Sequence, residues 1–244
     1  MKHTRMGDIF KVLIILARPA AGKSEIINYL QGVPDEVRRS RFHIGKLSVL
    51  DDFPMIWTWF EEDDLLTQMG LPRLHTNKNG YFFQQYSWNL LIERLNFEYT
   101  KLERDSHNHN HTTIIEFSRG KEHGGYQSAF SHVSDEIIQN AAILYINVSW
   151  EESLRKNRKR FNPEIPDSIL EHSLPDEKLT KLYYETDWNE ITAQNNEFIR
   201  IRSSSVPFSI FENEDDVTSA NTPELGQRLQ LTLGGLWTNY INKG

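Results

Sequence analysis

Hydrophobic residues follow two alternating patterns along this chain of 244 residues. Continuous runs rich in β-branched residues, which are typical of buried parallel strands, cover residues 9–16, 46–50, 112–117, 141–148, 198–202 and 206–211. Hydrophobic residues at helical spacing follow residue 23 and cover residues 88–102, 151–160 and 178–191. Strands that alternate with helices predict an α/β fold, in which a mainly parallel sheet carries helices on both faces.

Length, composition and charge narrow the class of protein. A chain of 244 residues with 38% apolar content predicts one domain over residues 1–244. Its net charge of −7 argues against binding to nucleic acid. No stretch approaches the roughly 18 apolar residues of a membrane span, and the run at residues 12–17 is shorter than a secretory signal requires. We expect a cytoplasmic protein with no membrane partner and, since cysteine is absent, no disulfides.

The first strand leads into a segment with the chemistry of a phosphate-binding loop. Residues 17–24 read A-R-P-A-A-G-K-S, and their last three positions match the motif G-x-x-x-x-G-K-[ST]. In such a loop backbone N–H groups surround phosphate oxygens, the lysine reaches the β and γ phosphates, and the hydroxyl holds Mg²⁺. The predicted helix that follows adds the partial positive charge of its N-terminus. We expect the following residues to bind the cofactor: Arg18, Pro19, Ala20, Ala21, Gly22, Lys23, Ser24 and Glu25.

This segment resembles the relaxed Walker A sequence of the P-loop NTPase superfamily, which admits alanine at the first position, here Ala17. The resemblance implies a three-layer α/β/α P-loop fold with a mainly parallel five-stranded sheet and a helical lid at about residues 150–180. It also implies ATP and Mg²⁺ as cofactors, with Lys23 at the phosphates and Ser24 at the metal.

Acidic residues close two of the later strands. Glu116 ends the third predicted strand and Arg119 follows it, an arrangement similar to the acid-to-arginine strand end of nucleotide and deoxynucleoside kinases. That resemblance implies that Glu116 helps Ser24 to hold Mg²⁺ and that Arg119 contacts the acceptor or the transferred phosphate. Asp51 and Asp52 end another strand, where either carboxylate would accept the proton of an acceptor hydroxyl.

A basic run follows the fourth strand. Five of the six residues at 155–160 are Lys or Arg, and Arg155 and Arg158 share one helical face. The run resembles the lid arginines of nucleoside and nucleotide kinases, which implies that Arg155 and Arg158 stabilise charge on the moving phosphoryl group. A solvated basic face is the alternative.

The prediction of a binding site for the acceptor depends on a segment rich in aromatic residues. The segment at 81–86 reads Y-F-F-Q-Q-Y and is similar to the phenylalanine-glutamine stretch of deoxynucleoside kinases, which implies base reading by Gln84 or Gln85, while Trp57 points to the same family. Aromatic residues of a hydrophobic core are the alternative. The histidines at 107, 109 and 111 indicate a polar connection rather than a zinc site, and His123 is a candidate to line the site.

The sequence therefore predicts a kinase that transfers the γ-phosphoryl group of Mg·ATP to a small-molecule acceptor, for which a nucleoside or nucleotide is one option. Asp51, Asp52, Lys23, Arg119, Arg155 and Arg158 are its expected catalytic residues. Two alternatives stay open: a nucleotide-binding module that hydrolyses slowly or not at all, and a domain that keeps a phosphate site only for structure. A homodimer is compatible with the sequence.

Overall fold

The computed structural model describes residues 8–105, 110–160, 173–220 and 223–243. Its strands are β1 (Val12–Ala17), β2 (Lys46–Asp51), β3 (His111–Phe117), β4 (Ala141–Asn147), β5 (Phe198–Ile201) and β6 (Ser204–Glu212). The helices of the first half are α1 (Lys23–Gly32), α2 (Asp35–Phe42), α3 (Phe53–Gln68) and α4 (Ser87–Asp105). Those of the second half are α5 (Gly125–His132), α6 (Asp135–Asn140), α7 (Trp150–Arg160), α8 (Asp176–Tyr183), α9 (Trp188–Thr192), α10 (Val217–Ala220) and α11 (Pro223–Asn242).

The strands form one mixed sheet in the order β2-β3-β1-β4-β6-β5. Every neighbouring pair is parallel except β5 and β6, which are antiparallel. The predicted α/β class with a mainly parallel sheet is confirmed, but the expected number of five strands is wrong, because the sheet has six. The difference arises at the edge, where a two-residue turn at Arg202 and Ser203 joins β5 and β6 into a hairpin.

Alternate residues of β1 supply two hydrophobic cores, one on each face of the sheet. Val12, Ile14 and Leu16 pack with residues of α4, α5 and α6. Leu13 and Ile15 pack with residues of α1, α2 and α11. The two-residue period of a strand produces this division, and full burial of β1 on both faces explains its uninterrupted hydrophobic sequence.

The helix predicted at residues 178–191 is divided into α8 and α9. Asp187 lies between them and is buried, and its carboxylate accepts hydrogen bonds from the backbone N–H groups of Tyr126 and Gln127 at 2.7 and 2.9 Å. These donors belong to the first turn of α5, so Asp187 satisfies N–H groups that the helix itself cannot. The helix is therefore interrupted between α8 and α9, where the Asp187 carboxylate caps the N-terminus of α5.

Parallel topology brings the carboxyl ends of β1, β2, β3 and β4 to the same edge of the sheet, where ligands of such folds bind. The predicted lid at about residues 150–180 stays a prediction, since residues 161–172 lie outside the described residues. Of the predicted polar connection at 107–111, His107 and His109 also lie outside them, and His111 begins β3. None of the helices in the described ranges combines the length and apolar character needed to cross a membrane.

Candidate functional site

Side chains from elsewhere in the fold hold the loop between β1 and α1 by donating hydrogen bonds to its backbone carbonyl groups. Three of them accept hydrogen bonds from side chains that come from three different parts of the chain. The bonds are Tyr126 Oη to Ala17 O at 3.1 Å, Ser153 Oγ to Pro19 O at 2.8 Å and Asn213 Nδ2 to Ala21 O at 2.8 Å. The donors are on α5, on α7 and in the segment after β6, so the loop is fixed from several sides.

The N–H groups of the same peptides point the opposite way. Every peptide bond of the described residues is trans, so each N–H is directed away from the carbonyl of its own peptide unit. The N–H groups of Arg18, Ala20 and Gly22 therefore point away from Tyr126, Ser153 and Asn213. Ala20 and Gly22 have left-handed φ angles of 58° and 113°, and alternation of left- and right-handed residues is a backbone arrangement that binds anions.

Gly22 also meets a steric requirement. A Cβ atom at this position would lie 2.7 Å from Thr218 Oγ1 and 2.8 Å from Asn213 Nδ2. Glycine is thus needed both for the left-handed backbone and for the close approach of Asn213 to the loop. Ala17 has no such requirement, because it is the last residue of a buried, extended strand. That extended position explains why alanine fits where the motif has glycine.

Gly22 caps α1 without a side-chain hydrogen bond, so the first N–H groups of the helix open toward the loop. Lys23 begins the helix, and its Nζ donates to Ser118 Oγ at 2.8 Å, just beyond the end of β3. Ser24 is exposed in the same first turn, and Glu25 lies 3.4 Å from Arg160 Nη2. The loop, Lys23 and the carboxyl end of β3 therefore form one site.

Two carboxylates face this site from neighbouring strands. Asp51 lies opposite Glu116 in the register of β2 and β3. Burial, reinforced by the negative charges of Glu116 and Asp52, raises the pKa of Asp51 to about 7. Burial also raises the pKa of Glu116, although the positive charge of Lys23 opposes that effect. The site thus holds a carboxyl group that exchanges its proton near neutral pH.

Asp52 has a different environment from its neighbour Asp51. Its carboxylate forms a buried ion pair with Arg119 at 2.6 Å, and both side chains are almost fully inaccessible. Arg119 also donates to Ser118 O at 2.7 Å and to Trp88 O at 3.1 Å, while its buried Nε has no partner among the described residues. The predicted group of Lys23, Asp51, Asp52, Glu116 and Arg119 is therefore brought together at one edge of the sheet.

The arginines predicted for the lid lie elsewhere. Within the described residues, Arg155 is paired with Glu152 at 2.6 Å and Asp216 at 3.0 Å, and Arg158 with Asp176 at 2.6 Å. The structure does not bring either of them into contact with Lys23 or Glu116. Arg160 is the member of the basic run that approaches the loop, through its contact with Glu25.

An aromatic pocket adjoins the Asp52–Arg119 ion pair. It has a cavity volume of about 190 Å³, and its lining includes Phe53, Phe60, Tyr81, Phe82, Trp88 and Tyr183. The guanidinium of Arg119 lies 5.3 Å from the centre of the Trp88 ring. Among the residues predicted to bind the acceptor, Gln85 lines the pocket and donates to Glu122 O. Gln84 is exposed, and the ring centre of Trp57 lies 6.0 Å from that of Phe53.

His123 supports the wall of this pocket. Its ring stacks on Trp88 with 3.7 Å between ring centres, and its Nδ1 faces the N–H of Gly120 at 3.5 Å. Burial, with the nearby charge of Arg119, lowers the pKa of His123 to about 2. His123 is therefore neutral at physiological pH and acts as a packing residue behind Trp88.

Some residues of the site gave no signal in the sequence. Tyr126, Ser153 and Asn213 anchor the loop from 109, 134 and 192 residues away, and each is an ordinary residue of a helix or a turn. Lys178 and Lys181 line the aromatic pocket from the segment predicted only as a helix. Their positions depend on tertiary packing, which no local pattern encodes.

The described residues contain no cluster of three or more His, Asp and Glu side chains with the geometry to bind a metal. Neither a comparison with models of known protein families nor a search of curated proteins returned a match to this chain.

Proposed function

We propose that this protein is an ATP-dependent phosphotransferase that moves the γ-phosphoryl group of Mg·ATP to a hydroxyl of a small-molecule acceptor. The single observation that carries the proposal is the loop between Ala17 and Lys23. Three of its carbonyl groups accept hydrogen bonds from surrounding side chains, so the N–H groups of those three peptides and the N-terminus of α1 are directed toward the space where an anion would bind. Buried carboxylates stand beside that loop, as transfer to a hydroxyl requires.

The donor half of the proposed site consists of the loop and Lys23. Backbone N–H groups from Ala20 to Ser24 would bind the phosphates, and Lys23 would leave Ser118 to reach the β and γ phosphates. Mg²⁺ would be held by Ser24 and Glu116, with phosphate oxygens and water completing its shell, which is the usual manner of Mg²⁺ binding. The exposed hydroxyl of Ser24 and the acidic strand end at Glu116 fit that role. When bound, the ion would neutralise charge on the phosphates.

The acceptor half consists of Asp51, Asp52 and Arg119. A general base works best when its pKa lies near the operating pH, and the Asp51 pKa of about 7 meets that condition. Asp52 would serve as a base only if its ion pair with Arg119 opened, and Arg119 would then be free to bind the acceptor. These features favour Asp51 as the group that takes the hydroxyl proton.

Charge on the moving phosphoryl group needs cationic partners. Arg155 and Arg158 stay proposals for that task, and each would have to exchange its carboxylate partners for a phosphate. Arg160 is closer to the loop, and its positive charge, like that of Lys23, opposes the rise that burial causes in the pKa of Glu116. We therefore add Arg160 to the two arginines predicted from the sequence.

Substitution of Lys23 by alanine tests the proposal. Loss of one positioned electrostatic donor typically lowers turnover by roughly 100- to 1000-fold, and we expect Lys23→Ala to lower ADP formation to that extent. The matched control is Lys46→Ala, which removes an exposed lysine at the opposite end of β2. ATP binding is measured by calorimetry with Mg²⁺ present. Unchanged ATP affinity and turnover in Lys23→Ala would contradict the proposed function.

A further inference from the structure

The aromatic pocket carries two cations at one end. Lys178 Nζ lies 5.3 Å from the ring centres of both Phe60 and Tyr81, and Lys181 Nζ lies 4.5 Å from that of Tyr81. Neither amine has a carboxylate within ion-pair distance in the part of the chain that the structure describes. Lys178 donates a hydrogen bond to the carbonyl oxygen of Asn79 at 3.2 Å.

Lys178 is also partly removed from water. Burial lowers its pKa below the ordinary value for lysine, and no carboxylate among the described residues offsets that effect. A desolvated ammonium group without a counter-ion is unfavourable, so an anion at this position would be stabilised by it. Glu122 also lines the pocket but follows Lys121 at the other wall, next to His123 and Trp88.

The opposite end of the pocket lies next to the acidic residues of the proposed transfer site, which do not themselves line the pocket. Phe53, which directly follows Asp52, and Phe60 both line the pocket from α3. They are seven residues apart, which corresponds to about 10 Å along a helix. Along α8, Lys178 and Tyr183 are five residues apart, or about 7.5 Å. Burial raises the pKa of Tyr183, and the charges of Arg119 and Asp52 also act on it, so Tyr183 is near that ion pair. The distance along the pocket between the two cations and the acidic residues therefore corresponds to about one ring with its substituents.

The volume of the pocket limits its occupant. A dry cavity of about 150 Å³ accommodates benzene, and this pocket has about 190 Å³. Drug-sized ligands occupy about 300–1000 Å³. The apolar part of the ligand is therefore close to a single ring in size.

We propose that the acceptor is a small acid with one ring, which places its negative group at Lys178 and Lys181 and its hydroxyl at the Asp51–Asp52 end. This assignment rests on the proposed function for the role of the hydroxyl, whereas the ring and the anion are argued from the pocket. A carboxylate and a phosphate ester share the required charge, and the experiment distinguishes them.

Calorimetry without nucleotide tests the ligand class separately from catalysis. The probes are 4-(hydroxymethyl)benzoate, its neutral amide 4-(hydroxymethyl)benzamide, and 4-(hydroxymethyl)phenyl phosphate. A partly exposed ion pair is worth about 1 kcal/mol, or about fivefold in affinity, so we expect at least one of the two anions to bind about fivefold or more tightly than the amide. The tighter of the two anions identifies the charged group. Equal affinity of amide and anions, or no binding by any probe, would overturn the proposal.

Lysine variants assign that preference to the pocket. We expect the double variant Lys178→Gln/Lys181→Gln, which removes both cations, to reduce the preference for the anion to about onefold to twofold, while the affinity for the amide stays the same. Lys46→Gln is the control and should keep the full preference. A preference that survives in the double variant would refute the assignment to these lysines.

Phosphoryl transfer is then measured with Mg·ATP and the tighter probe. Lysine-dependent binding without product would sustain the ligand class and refute the proposed function. Phosphorylation of the amide as readily as of the anions would sustain the proposed function and refute the ligand class.

Discussion

Substitution of Asp51 by asparagine should stabilise the protein at alkaline pH. Asp51 is largely buried beside Glu116 and Asp52, and its ionised form is unfavourable there. Asparagine is nearly isosteric and carries no charge. Its Oδ1 can still accept the hydrogen bond that Asp51 Oδ1 receives from the backbone N–H of Phe53 at 2.9 Å. The change therefore removes the charge and keeps the local hydrogen bond.

The magnitude follows from the two pKa values. In the unfolded chain Asp51 loses its proton near the ordinary value of 3.8, whereas in the folded protein it keeps the proton up to about 7. Between these values the folded state binds more protons, so the wild-type protein loses stability as pH rises, and the loss is complete above pH 7. Each pH unit is worth at most about 1.4 kcal/mol, so about 2 kcal/mol is lost between pH 5 and pH 7, where half of the folded molecules are ionised, and slightly under 3 kcal/mol by pH 8.

Urea denaturation at pH 5 and pH 8 measures this loss. At pH 5 the folded wild-type protein holds Asp51 protonated and resembles the variant. At pH 8 the wild-type carboxylate is ionised, and we expect the stability advantage of Asp51→Asn over the wild type to be about 2–3 kcal/mol larger than at pH 5. Comparison of m-values ensures that the unfolding transition is unchanged.

An exposed carboxylate provides the control. Glu197 lies on the surface before β5, and Glu197→Gln should change the free energy of unfolding by the same small amount at both pH values. If the advantage of Asp51→Asn were equal at pH 5 and pH 8, the pKa of Asp51 would not be raised, and the argument that favours it as a base near neutral pH would fail.

Two further predictions concern buried groups. Arg119→Met leaves the Asp52 carboxylate buried without its partner and should lower the free energy of unfolding by about 3–5 kcal/mol. The added substitution Asp52→Asn should recover a large part of this loss in urea denaturation. If it recovered none, the broken ion pair would not be the cause of the loss. Gly125 has a φ of 72°, and a Cβ atom added to it would collide with the Asp187 carboxylate. Gly125→Ala should therefore lower the free energy of unfolding by about 1–3 kcal/mol. The control Gly234→Ala lies in α11 with open space around the new atom and should be neutral or stabilising, and equal melting temperatures for the two variants would contradict the steric argument.

The strands were predictable because their signal is local. A strand buried on both faces is usually hydrophobic along its length. β1 meets that condition at every position and β4 at all but its last residue, Asn147, whereas β3 has a hydrophobic centre at residues 114–115 between polar residues. Both strands of the edge hairpin also have hydrophobic runs, at residues 198–202 and 206–211, but their antiparallel pairing was not predictable, because it depends on the turn at Arg202. The guanidinium of this residue donates to the carbonyls of Phe130 and Val133 at 3.1 and 2.8 Å, which are remote in sequence.

The site shows the same division between local and remote information. The loop at residues 17–24 and the acids at the ends of β2 and β3 could be located from their sequence, because parallel topology places strand ends together. The ion-pair partners of the charged residues could not be located in this way. Asp52 pairs with Arg119 across 67 residues and Arg155 with Asp216 across 61, and sequence offers no rule that distinguishes these pairs from arginines free to bind phosphate.

The anchored loop has a consequence for the entropy of binding. A loop that orders only around its ligand loses conformational freedom at that moment, and the loss reduces affinity. In this protein Tyr126, Ser153 and Asn213 order the loop during folding, before any ligand arrives. The cost of ordering the loop is therefore part of the free energy of folding, and an anion that bound there would not have to order the loop.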